Sequence, residues 1–141
     1  MSGKIENLHT AIYNLVNGVT TFNQGFYERP KEITDEKLPA FAVIFEGYEN
    51  DFMTSNSNKR TYNFGIEIIY DKETIDTTQT VTSDLVSSVV DVLEDNDNYS
   101  LSGNCNYTLP TKCTRIEDYV IAGKHYLAYK ITLQAIFNSS L

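Results

Sequence analysis

The sequence predicts an α+β domain of two layers, in which two helices pack on a mainly antiparallel sheet of about five strands, in the order α-β-β-β-α-β-β. Three observations carry this. Two segments repeat their apolar residues at helical spacing, and three others alternate apolar and polar residues with period two. The 141 residues are 41% hydrophobic and 12% aromatic, enough for one core and cramped for two, so residues 1–141 are read as a single domain.

The first helix runs from Lys4 to Val16. Ile5, Leu8, Ile12, Leu15 and Val16 form its apolar face, with Lys4, Glu6, Asn7, Thr10 and Asn14 opposite. Asn17-Gly18 stops it, because both residues tolerate the left-handed conformation that closes helices. "VTTFNQGFYERP" is expected to be a short strand broken by Gly25 and ended by Pro30. "KEITDEKLP" is charged and is expected to be a solvated loop.

Two stronger strands follow. In "AFAVIFEGY", Phe41, Val43 and Phe45 alternate with Ala42, Ile44 and Glu46. In "TYNFGIEIIYD", Tyr62, Phe64, Ile66, Ile68 and Tyr70 share one face and Asn63, Gly65 and Glu67 the other. Between them, Tyr48–Arg60 is expected to form a long polar loop, whereas a tight hairpin needs only about two to five linking residues. Phe52 and Met53 stand out there among Asp, Ser and Asn.

The second helix, in "DTTQTVTSDLVSSVVDVLEDN", is rich in Thr and Val, which favour strands. Its periodicity overrides that preference: Val81, Leu85, Val86, Val89, Val90, Val92 and Leu93 make one stripe. Asp76 followed by Gln79 resembles a capping box at its start. "DNDNYSLSGNCN" has the composition of a loop. "TKCTRIEDYVI" and "HYLAYKITLQAIFN" read as a hairpin closed around Ala122-Gly123. The last strand, from His125 to Asn138, is more than twice the usual length of about five or six residues, as strands that meet a neighbour often are.

The formal net charge is −8. Gripping nucleic acid needs clustered Lys and Arg, and only Lys59-Arg60 and Lys112 with Arg115 come close. An acidic surface instead repels DNA. No segment has the apolar length of a membrane span or of a signal peptide, so a protein made in the cytoplasm, with no membrane partner, is expected. Cys105 and Cys113 could bridge, but a reduced pair fits a cytoplasm better.

Chemistry is hard to find. His9 and His125 lack paired spacing for a metal. "DNDNYS" has Ser100 where a calcium loop needs glycine and Asn106 where it needs a bidentate Glu. There is no phosphate loop and no nucleophile elbow. Glu117 and Asp118 are strand neighbours and point to opposite faces. No catalytic, cofactor or metal residue is therefore assigned, although ten tyrosines leave a tyrosine-lined ligand cavity open as an alternative.

Taken in order, "IENLHTAIYNLVNG", "FYERP", "LPAFAVIFEGY", "RTYNFGIEIIYDKE", "VTSDLVSSVVDVLEDN" and "HYLAYKITLQAIF" resemble the small tail-terminator and tail-completion proteins of long-tailed bacteriophages, with head–tail joining proteins close behind. The resemblance spans nearly the whole chain and rests on the order of elements. It implies a non-enzymatic virion protein, made in the bacterial host. Such a protein forms a homo-oligomeric ring, usually a hexamer, that caps the tail-tube protein and meets the head-completion or neck protein while DNA passes unbound. It also matches Tyr48–Arg60 to an extended hairpin that reaches the tube or a neighbour. On that reading Phe52 and Met53 are anchors, Lys59 and Arg60 are clamps, and Phe137 in the tail Phe137–Leu141 is a weaker contact. The alternatives are a neck connector, a small-molecule-binding domain or enzyme, and a Phe52–Met53 pair folded onto its own sheet.

Overall fold

The computed structural model describes residues 4–19, 22–54, 57–71, 75–95, 101 and 105–140, leaving aside the side chains of 35, 52–54, 57, 71, 75–84, 139 and 140. Helix α1 (Lys4–Asn17) is followed by strand β1 (Gln24–Phe26), a 3₁₀ turn at Asp35–Lys37, and the paired strands β2 (Ala40–Thr54) and β3 (Ser57–Asp71). Helix α2 (Ile75–Glu94) then leads into β4 (Tyr107–Ile121) and β5 (Lys124–Ser140). The order α-β-β-β-α-β-β and the α+β class are those expected from the sequence.

The five strands form one sheet in the order β1-β2-β3-β5-β4. Only β1 pairs in parallel, with Gln24, Gly25 and Phe26 opposite Ala40, Phe41 and Ala42. Parallel neighbours need a crossover of about a dozen residues or more, which the stretch from Tyr27 to Pro39 supplies. The turn between β4 and β5 is the expected Ala122-Gly123, with φ of 52° and 79°. Two positive φ values are what a two-residue type I′ hairpin turn requires.

One face of the sheet carries both helices. Leu8, Ile12 and Val16 of α1 and Leu85, Val89 and Leu93 of α2 are buried against Phe41, Val43, Phe64, Ile66, Ile68, Leu127, Ile131 and Leu133. From Leu85 onward the α2 stripe holds Leu85, Val86, Val89, Val90 and Leu93 as expected, whereas Val92 is not part of this cluster. Val81, Asp76 and Gln79 have side chains outside the described set. His9 fixes α1 over β2: its Nε2–H donates to the Val43 carbonyl at 2.6 Å. Gly25 lets β1 approach, since a Cβ there would sit 2.3 Å from the Phe41 ring and 2.8 Å from the Tyr13 hydroxyl.

The other face departs from expectation. The "KEITDEKLP" segment is no free solvated loop: Ile33 and Leu38 pack against a second cluster of Ile69, Tyr119, Ile121, Tyr126 and Ala128. The Tyr126 hydroxyl donates to the Ile33 carbonyl at 3.3 Å. Two apolar residues among the charges are enough to cover an end of the sheet that would otherwise stay wet.

Candidate functional site

The largest correction concerns Tyr48–Arg60. This stretch is continuous sheet up to Thr54 and again from Ser57, and Thr54 pairs directly with Ser57. A backbone ladder needs no apolar side chains, and this one is backed by β5, whose end runs from Phe137 opposite Arg60 to Ser140 opposite Ser57. The long last strand is accounted for in the same way. It lies inside the sheet, paired on one side with β3 and on the other with β4.

The sheet's far end holds all five residues singled out above. Phe52 and Met53 occupy a register shift between the pairs Asp51–Lys59 and Thr54–Ser57, so two residues of β2 stand opposite Asn58. Such a bulge twists and re-aims a strand. The question of which way their side chains face lies outside the described residues. Lys59 sits opposite Asp51 and Asn138, and Arg60 opposite Asn50 and Phe137. As strand neighbours, Lys59 and Arg60 point to opposite faces of the sheet.

Arg60 is turned onto its own sheet. One terminal nitrogen donates to the Tyr62 hydroxyl at 3.2 Å, and the guanidinium lies 5.7 Å from the Tyr48 ring centre. The hydrogen bond to Tyr62 raises the already high Arg60 pKa. Phe137 lies under the Lys4 ammonium, at 4.0 Å. Tyr48 is 56% exposed, more than any other large hydrophobic side chain among the described residues.

Three buried polar atoms in this quarter have no hydrogen-bond partner among the described residues: Asn58 Oδ1, Arg60 Nε and Thr108 Oγ1. Register places all three on the helix-bearing face, through Ser139, Phe137 and Ala135 of β5. Each such atom costs about 1–3 kcal/mol if left unmet. The hairpin end thus combines the exposed Tyr48 ring with charges of both signs, Glu49 and Asp51 on β2 and Lys59 and Arg60 on β3.

Elsewhere the structure exposes a residue that sequence reasoning missed. Glu67, assigned to the polar face of β3, is only 1% exposed. Arg29 meets it through Nε at 3.2 Å and a terminal nitrogen at 2.7 Å, and the Tyr119 hydroxyl donates to it at 2.6 Å. Burial and the bond to Glu67 push the Tyr119 phenol well above its ordinary pKa. A lone acid inside "GIEIIY" was the available signal, since a charge in so apolar a run needs a partner. A shallow cavity of ≈340 Å³ opens on the same side, lined by Gln24, Phe26, Glu32, Ile33, Thr34 and Lys37. Its lining brings no nucleophile or paired acid together.

His125 bonds to Asp118 on the exposed β4–β5 hairpin. Cys105 is buried and Cys113 is exposed, and no disulfide joins them. Among the described residues no three His, Cys, Asp or Glu side chains converge as a metal site, and no helix is long and apolar enough to cross a membrane. In comparisons with known proteins, no family model matches the chain and no curated protein is significantly similar to it.

Proposed function

We propose that this chain is a structural protein of a bacteriophage virion, acting as a homo-oligomeric ring that caps the tail tube and joins it to the head. The observation that carries this reading is the far end of the sheet. There β2 and β3 run paired out to Thr54 and Ser57, with Tyr48 exposed beside Arg60 on the helix-bearing face. An arm of that kind suits a protein that works by burying surface against neighbours. The resemblance of the sequence to tail-terminator proteins supplies the identity of those neighbours.

The net charge of −8 fits the same role, because an acidic lumen lets DNA pass without adhering. The fold itself is neutral, since small α+β domains serve many functions. The test is co-expression with the tail-tube protein and, separately, with the head-completion protein of the same genome. Capture of the tube protein supports the terminator reading, and capture of the head-completion protein alone would make the chain a neck connector. Capture of neither, together with a ligand in the Gln24–Lys37 cavity, would replace both with a small-molecule-binding domain.

A further inference from the structure

The sheet has two long open edges that carry opposite charge over part of their length. On one side β1 covers only Ala40–Ala42, so from Val43 onward β2 has no strand beside it among the described residues. On the other side β4 is the outermost strand, with β5 as its single strand partner. The open part of β2, "IFEGYENDFMT", carries Glu46, Glu49 and Asp51 and no cation. The first two-thirds of β4, "YTLPTKCTRI", carries Lys112 and Arg115 and no anion, in a chain with 19 acidic and 11 basic residues. Glu46 is already paired with Lys130 and Arg115 lies 3.6 Å from Glu117, but Glu49, Asp51 and Lys112 make no ion pair among the described residues.

Direction and face agree with charge. β2, β3, β5 and β4 alternate in direction, so β4 runs antiparallel to β2. A second copy laid beside the first in the same orientation therefore meets β4 with an antiparallel β2, the more stable ladder. Register within the sheet puts Glu49 and Asp51 on the face that also holds Lys112, and Tyr48 and Asn50 on the face that holds Cys113 and Arg115. Keeping the faces continuous allows Lys112 to lie opposite Asp51, a register that matches charge and sets Cys113 opposite Asn50. A two-fold pairing of β4 with β4, or β2 with β2, would instead set like charges against each other.

Resting on the ring reading above, we infer that copies of this chain join head to tail by pairing the β4 edge of one with the β2 edge of the next, Gly47–Asp51 against Lys112–Ile116. A heterologous contact of this kind closes into a ring when its rotation closes. It also occupies two exposed strand edges that would otherwise invite aggregation.

The test uses exposed residues, so folding is spared. Lys112→Glu alone, and Glu49→Lys with Asp51→Lys, should each weaken self-association in sedimentation by about ten-fold or more at low salt. Mixed in equal amounts, the two variants should assemble together, because each then meets an edge of opposite charge. In Asn50→Cys, a short bis-maleimide should link the introduced thiol of one copy to Cys113 of the next and give a ladder of dimers, trimers and higher species. Cross-linking that stops at dimers overturns the head-to-tail arrangement. A closed oligomer that ignores the charge swaps and does not cross-link overturns the edge pairing and leaves the ring reading intact. A chain that stays monomeric at every concentration up to its solubility limit overturns both.

Discussion

Arg29 grips the buried carboxylate of Glu67 with two nitrogens, at 3.2 and 2.7 Å, while 58% of its own side chain remains exposed. The pair is the clasp that holds the crossover from β1 to β2 against the back of the sheet. Removing one partner of a buried pair leaves the other charged and unmet. Arg29→Ala is expected to cost about 2–3 kcal/mol, below the full range for a buried pair because Arg29 is half in water and Tyr119 still serves Glu67. Urea denaturation measures it. Glu67→Gln, which keeps the shape and loses the charge, should cost less.

Gly25 is expected to be irreplaceable for steric reasons. A Cβ would lie 2.3 and 2.7 Å from carbons of the Phe41 ring, which is itself fully buried. Gly25→Ala must push β1 off the edge of β2 or displace Phe41, at a cost of about 1–3 kcal/mol. Gly47, whose added Cβ would meet nothing within 4 Å but whose φ is +120°, should be destabilised by alanine through backbone strain alone. Thermal melts of the two variants, with the packing around Phe41 and Tyr13 followed by NMR, separate the two causes.

The thiols give a pH prediction. Burial pushes the Cys105 thiol up to about 11, and it also raises Cys113. The folded chain therefore holds a proton that the unfolded chain releases near 9.0. Stability is unaffected below that value and falls as pH rises from it toward about 11. The phenols of Tyr70 and Tyr119, also raised by burial, add the same sign at still higher pH. At neutral pH a thiol reagent should label Cys113 in the native protein and Cys105 only after denaturation. Two equally fast thiols in the native state would contradict the burial of Cys105.

Phe52→Ser with Met53→Ser tests the arm. These residues sit in the bulge at the end of β2. The double variant should fold nearly as well as the parent and lose assembly with the tube. A large apolar side chain buried at an interface contributes about 1.5–3 kcal/mol. Unfolding, with assembly per folded molecule unchanged, would assign the pair to the chain's own core.

How much of this was legible in the sequence depends on what kind of force shaped each part. The α2 stripe Leu85, Val89 and Leu93 and the alternation of Phe64, Ile66 and Ile68 were readable because burial imposes a period. The Ala122-Gly123 turn was readable because positive φ selects glycine. The sheet beyond Tyr48 was not, because its ladder is made by backbone groups, and the strand that backs it lies about eighty residues further along, as Ser57 opposite Ser140 shows. Glu67 looked like solvent-facing polarity until Arg29 and Tyr119 arrived from distant segments. At the far end of the sheet, the inward turn of Arg60 onto Tyr62 and Tyr48 was not legible, because both partners reach it only through the sheet.

The most direct measurement of the central claim is electron microscopy, with native mass spectrometry, of the chain co-expressed with the tail-tube protein of the same genome. The account predicts a ring, of about six copies on the family resemblance, seated at one end of each tube and absent from tubes formed with the Phe52→Ser, Met53→Ser variant. Bare tube ends beside a chain that remains a separate monomer would contradict it.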